Sequence, residues 1–106
     1  PFQIVIAESD VWAVMTSYNL LNGSYTSENS DLLTGILRGE WSFRGLIITD
    51  WGNWAEHYRE VLAGSNVRMP FGSPKRLQRA MKLGLIHRKE LKDNTKYLLE
   101  FLMKLE

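Results

Sequence analysis

Residues 46–49, Leu-Ile-Ile-Thr, form an unbroken run of apolar and β-branched side chains that ends on Asp50. A strand with one wet face alternates apolar and polar residues. A run without alternation fits a strand covered on both faces, the habit of parallel sheets. Parallel strands need long crossovers, usually helices, so this run commits its surroundings to βαβ units. Residues 12–17, "WAVMTS", make a second apolar run of strand length. Residues 67–69, Val-Arg-Met, make a short third one, stopped by Pro70.

Helical patterns lie between and after these runs. Ser30 fits an N-cap, with Asp31 in the first turn where it favours the helix dipole. Leu32, Leu33, Ile36 and Leu37 then form one stripe, which Trp41 extends. Residues 54–62 have helical character and close on Ala63-Gly64-Ser65-Asn66. Ser73 reads as an N-cap, Pro74 as the first helical residue and Gly84 as the stop. Leu77, Ala80 and Met81 are expected to face inward there. The last helix is expected from about Arg88 to about Lys104, on a stripe of Leu91, Thr95, Leu98, Leu102 and Leu105. Residues 2–9 fit either helix or strand. Residues 18–29 are turn chemistry, with Asn22-Gly23 its strongest signal.

Strands alternating with helices give an α/β fold with about three parallel strands and flanking helices. A complete (β/α)8 TIM-type barrel needs eight strands over about 250 residues. The chain has 106 residues, so the pattern fits a small open sheet or the last part of a barrel. No linker or repeat divides it, and residues 1–106 read as one unit. It begins at Pro1 without an initiator Met, as a processed chain or an internal piece would.

Composition narrows the function. Apolar residues are 44% and charged residues 24%, a globular balance. The net charge of +1 gives no electrostatic case for nucleic acid or membrane. No apolar run approaches the ~20 residues of a membrane helix. Without cysteine there is no disulfide or thiolate site. His57 and His87 stand alone on helical stretches, so no metal site is expected, and no glycine-rich phosphate loop calls for a nucleotide cofactor.

In barrels and open α/β sheets alike, ligands meet the carboxyl ends of the strands. Two such ends carry unusual residues: "TSYNLLNG", residues 16–23, and "TDWG", residues 49–52. One rim would bring Tyr18 and Asp50 together. A hydroxyl donating to a carboxylate keeps it ionised and oriented, as a nucleophile requires. The plain alternatives are that Asp50 caps the following helix, that Trp51 and Tyr18 are packing residues, and that Asn19 and Asn22 serve turns.

"VMTSYNLLNG", "SENSDLLTGILRGEWSFRGLIITDWG", "AGSNVRMP" and "LQRAMKLGLIHRKEL", in that order, resemble glycoside hydrolase family 3, the β-glucosidase-like family. The resemblance covers nearly the whole chain. It implies the C-terminal part of that family's (β/α)8-type domain, and a glycoside hydrolase in the parent protein. It puts the catalytic nucleophile on Asp50. It puts substrate contacts on Tyr18, Trp51, Met15 and Asn19, and implies no metal and no cofactor. Three positions depart from the family pattern: Ser42 where Gly is usual, Asn66 where Asp is usual, and Arg68 at a mostly apolar position.

The implied chemistry is retaining hydrolysis of terminal β-linked sugars, with an oligosaccharide or β-glycoside as substrate, and "TDWG" leans towards glucosides. No residue matches the family's acid/base. Glu28 and Glu56 are set aside, Glu28 as an organiser of the turn before the first long helix. The isolated chain is therefore expected to be inactive without the remainder of the parent catalytic domain, and to self-associate through open sheet edges. A non-catalytic sugar-binding or structural barrel segment is the competing reading. Helix-turn-helix DNA binding by residues 75–92 is the remote one, because the basic side chains suit the solvated face of amphipathic helices.

Overall fold

The structure, a computed structural model, describes residues 1–52 and 54–106. Its strands are β1 (Ala13–Met15), β2 (Leu20–Leu21), β3 (Ser24–Tyr25) and β4 (Leu46–Ile48). β1 and β4 pair in parallel, with Ala13 opposite Leu46, Val14 opposite Ile47 and Met15 opposite Ile48. Val67 adds a single parallel bridge to Ile48. The third strand foreseen over residues 67–69 is thus reduced to one bridge. The ladder stops there because the Met69 N–H donates to the Thr49 hydroxyl, at 2.8 Å, instead of to a strand carbonyl. The fold is mixed α/β with parallel strands, as the unbroken apolar run requires.

Residues 18–29 are more ordered than turn chemistry suggests. β2 and β3 form an antiparallel hairpin around Asn22-Gly23. Both turn residues have positive φ, 52° and 81°, the geometry that Asn-Gly favours in two-residue hairpins. A 3-10 turn, Thr26–Glu28, follows.

The helices are α1 (Phe2–Glu8), a π helix (Asp31–Glu40), α2 (His57–Ala63), α3 (Pro74–Lys82) and α4 (Arg88–Lys104). The ambiguous first segment is thereby helix. The expected cap of the π helix moves by one residue. Ser30 is already helical, at φ −62° and ψ −37°, and Asn29 Oδ1 accepts the Leu32 N–H at 3.1 Å. The wide winding shows in the Trp41 N–H, which reaches back five residues to Ile36 O. α2 starts later than its pattern indicates. The carbonyl of Ala55 is taken by the Arg68 guanidinium at 2.9 Å, and the Glu56 N–H by Glu28 at 3.2 Å, so the chain ahead of His57 is tied sideways. Glu28 thus orders the entry to α2 and not the turn before the π helix.

α3 has the caps the sequence announces. Ser73 Oγ accepts the Arg76 N–H at 3.3 Å, Pro74 opens the helix and Gly84 follows at φ 74°. Ala80 is buried and Leu77 half-buried, but Met81 remains exposed. α4 has the expected bounds and a different anchored face. Leu102 and Leu105 are exposed. The helix is held instead by Asn94, which donates to Val61 O and Ser65 O, by Tyr97 stacked 3.7 Å from the Arg38 guanidinium, and by Phe101, edge-on to Trp12. These residues are spaced three and four apart, so they share a stripe.

The core is Leu33, Leu37, Phe43, Ile47 and Ala63, with Ile6, Val11, Val14, Leu32 and Trp41 packed around it. Gly45 is needed where β1 and β4 meet, since a Cβ there would lie 2.3 Å from the Trp12 carbonyl oxygen. Ser42 has φ 55°, a left-handed conformation that glycine takes without strain, which accounts for the usual Gly at that place.

Asn66 ties these layers together. Its Oδ1 accepts both the Ile47 N–H and an Arg38 N–H, each at 2.8 Å. Its own N–H donates to Ile47 O at 2.7 Å, and its side-chain amide donates to Asn94 at 3.2 Å. A carboxylate could not make that last donation. Ile47 is fully buried, so its N–H has no water to fall back on. Leaving a buried donor without an acceptor costs about 1–3 kcal/mol, and Arg38 loses a bond as well. Asn66→Ala is therefore expected to lower stability by about 3 kcal/mol, read as a lower urea midpoint at one fixed protein concentration. A change below about 1 kcal/mol would mean that Asn66 is replaceable by solvent.

Candidate active site

Because β1 and β4 are parallel and in register at Met15 and Ile48, the residues that follow them leave at the same rim. The segment after Val67 leaves there too. Each exit is fixed by a threonine. Thr49 is fully buried; its N–H donates to Val67 O at 2.9 Å and its hydroxyl oxygen accepts from Met69 N. At the end of β1, Thr26 reaches over from the hairpin. Its hydroxyl donates to Ser17 O at 2.6 Å and accepts the Ser17 N–H at 3.1 Å. These bonds set where the backbone delivers Asp50 and Tyr18.

Asp50 is half-buried, and its Oδ1 accepts the Trp51 N–H at 2.7 Å. It does not cap a helix. α2 begins only at His57, with Glu56 before it. The plainest account of an Asp after a strand therefore does not apply here. Trp51 is 55% exposed, Tyr18 69% and Met15 62%, and Asn19 is also exposed. Apolar side chains left open at a strand end are surfaces for a ligand or for further protein. The hydrogen bond foreseen from Tyr18 to Asp50 is not formed. The two residues share a rim, and the Tyr18 ring stands in solvent.

Two further exposed aromatic residues escape a reading of spacing alone. Phe71 is 83% exposed on the segment after Val67, and Trp54 is 85% exposed ahead of α2. Phe71 had a signal in its setting, between Pro70 and Gly72. Behind the rim, the unusual Arg68 has a partner. It donates to Glu60 at 2.8 Å, and Glu60 is buried. An apolar residue in its place would leave a buried carboxylate without that cation. Among the described residues no group of three or more His, Asp or Glu could hold a metal ion, and no helix is long and apolar enough to cross a membrane.

His57 sits behind the same segment. Its Nδ1 accepts the Ser73 N–H at 3.3 Å, so the proton of the neutral ring is on Nε2. Burial, and then the positive charge of Arg68, hold its pKa below the ordinary histidine value. His87 heads α4, where its backbone N–H donates to Glu90 at 2.9 Å.

Residues 1–100 match the family described as Glycosyl hydrolase family 3 N terminal domain. Beta-glucosidase A of Butyrivibrio fibrisolvens is 43% identical over 90 residues, 85% of this chain and 11% of that protein. Beta-glucosidase B of Emericella nidulans is 36% identical over 111 residues, 99% of this chain and 13% of that protein. The solved structure of beta-glucosidase 3B from Thermotoga neapolitana in complex with glucose superposes with a TM-score of 0.87 at 31% identity. That match covers 95% of this chain and 16% of the other. The chain thus spans 11%, 13% and 16% of the lengths of these three proteins.

The His57 environment has a measurable consequence. With a folded pKa below the unfolded value of about 6.5, both states are neutral above that pH and the full stability is present. As pH falls from there towards the folded pKa, the unfolded chain takes up the proton first, and stability is lost. His57→Asn removes this titration. The loss of urea midpoint between pH 7.5 and pH 5.5 is expected to be smaller in His57→Asn than in the wild type. Equal losses would show that His57 titrates alike in both states.

Proposed function

The chain belongs to glycosyl hydrolase family 3, and on that premise we propose that it is a segment of a retaining, exo-acting β-glycosidase, with Asp50 as nucleophile. The observation that carries this reading is the position of Asp50. It follows a buried strand and a pinned threonine, caps no helix, and stands at an open rim beside Trp51. Retaining hydrolysis needs such a group. Its carboxylate attacks the anomeric carbon and forms a glycosyl ester while an acid protonates the departing oxygen. The same acid, now a base, then takes a proton from the water that opens the ester. The Trp51 N–H donated to Oδ1 restrains the group's rotation.

The second carboxyl of a retaining pair stands about 5–5.5 Å from the first. Glu28 holds the Glu56 N–H, and Glu60 is ion-paired behind the rim. The acid/base is assigned to protein outside residues 1–106. Tyr18, Trp51, Met15 and Asn19 are assigned to the sugar pocket, which the remaining strands of a (β/α)8-type domain would complete over Asp50. The substrate class is a terminal β-linked sugar, with β-glucosides first among the candidates, after the beta-glucosidases that the chain resembles.

The test is mechanism-based labelling. In the full-length enzyme that carries these residues, a 2-deoxy-2-fluoro-β-glucoside should accumulate as an ester on Asp50, found by peptide mapping. Asp50→Asn should keep the fold and lose at least about 1000-fold in kcat, the scale expected when a nucleophile is removed. A label on another carboxyl would reject the assignment.

The isolated 106 residues are expected to show no hydrolysis of an aryl β-glucoside and to self-associate in light scattering. Among the described residues β1 pairs on one side only, and Phe2, Ile4 and Val5 of α1 are exposed. Unpaired strand edges beside apolar surface recruit further chains. A monodisperse monomer with turnover would refute both halves.

A further inference from the structure

Residues 69–73 are held at two points of different chemistry. At one end the Met69 N–H donates to Thr49 Oγ1 at 2.8 Å. A threonine hydroxyl stays an acceptor at every ordinary pH. At the other end the Ser73 N–H donates to His57 Nδ1 at 3.3 Å. That acceptor is a lone pair that a proton can take. Gly72 lies against the same ring, where a Cβ would come within 3.2 Å of His57 Cε1. His57 is the first residue of α2 and Ser73 is the N-cap of α3, so this one bond joins the starts of two helices.

The charges around the ring make its protonation disruptive. Arg68 faces it from the bridge segment and disfavours a second cation. α3, packed on α2, carries Lys75, Arg76, Arg79 and Lys82 and no acid. Two acids of the neighbourhood are engaged elsewhere: Glu60 binds Arg68 at 2.8 Å, and Glu28 accepts the Glu56 N–H at 3.2 Å. Glu56 is exposed. The π helix and α4 touch α2 at its far end, at Ala63 O and Val61 O. A proton added at Nδ1 turns that nitrogen into a donor aimed at another donor, the Ser73 N–H, beside the positive end of the α3 dipole.

We propose that His57 is an acid-released latch: when solvent gives a proton to Nδ1, the Ser73 bond breaks, and residues 70–73 with the first turn of α3 let go of α2, while the Thr49 bond and β4 stay in place. No covalent bond of the protein changes. Burial and Arg68 hold the folded pKa below the ordinary histidine value, so the latch is shut at neutral pH and opens in acid. The released segment is the one that leaves the sheet after Val67, beside β4. The latch does not depend on the role of Asp50.

Hydrogen exchange read by mass spectrometry tests it, in the full-length enzyme that carries these residues, at pH 7.5 and pH 5.0. Each rate is divided by that of the unstructured peptide at the same pH. In the wild type, protection over residues 71–77 is expected to fall by up to about tenfold per pH unit below the folded pKa, while that of Leu46–Ile48 changes much less. His57→Asn offers Oδ1 as an acceptor that takes no proton, so its protection over 71–77 should be the same at both pH values. His57→Ala removes the acceptor and should lower that protection already at pH 7.5, with no further fall in acid. A wild-type protection that does not change with pH overturns the proposal, as does an equal fall in His57→Asn. An equal fall over Leu46–Ile48 marks general unfolding and overturns it too. If His57→Ala keeps the wild-type protection at pH 7.5, the bond holds nothing and the latch is rejected.

Discussion

The buried peptide group of Ile47 is the constraint on which the rest of the structure depends. β4 is covered, so its backbone must find partners within the protein. On one side it pairs with β1. On the other side the described residues give only a single bridge at Val67, and the Asn66 side chain completes what a longer strand would have supplied. The same amide draws in Arg38 from the π helix and Asn94 from α4. One short polar side chain thus fixes the relative position of a strand, two helices and the loop between α2 and the bridge. Arg38 adds its own ties, donating to Gly45 O and stacking on Tyr97, and its burial lowers its pKa.

The rim inherits this rigidity. Asp50 is two residues beyond Ile48 and one beyond Thr49, and Thr49 is bonded on both its amide and its hydroxyl. A carboxylate delivered from so constrained a strand end has little freedom, which is what a reacting group requires. The aromatic side chains on the segments that follow the strands are the opposite: Tyr18, Trp51, Trp54 and Phe71 are all open. A stiff backbone carrying open aromatic side chains is a surface prepared for something else to cover. In the proposed enzyme that cover is the substrate and the remainder of the barrel domain.

Much of this was legible from residue types. The α3 caps, the α4 bounds and the Asn-Gly hairpin turn follow from local chemistry, because Ser, Pro, Asn and Gly act on the backbone within a few residues. The apolar run before Asp50 announced a covered parallel strand. The misplaced features are those settled over long range. α2 begins at His57 because Glu28 and Arg68 engage the chain ahead of it. The α4 stripe is displaced because Asn94 and Tyr97 find polar and cationic partners on other elements. Tyr18 does not meet Asp50, for a shared rim does not bring two side chains within bonding distance.

The sequence by itself determined the class of fold, the place of Asp50 at a strand end and the family to which the chain belongs. These depend on patterns within one short stretch, or on several motifs in order. Only the tertiary structure decided that Asn66 completes the edge of β4, that Arg68 is matched by Glu60, and that Thr49 and His57 pin the segment bearing Phe71. Each of those joins residues from different parts of the chain through one hydrogen bond or ion pair. Such pairings leave no periodic trace, because their energy depends on a distance that folding alone sets.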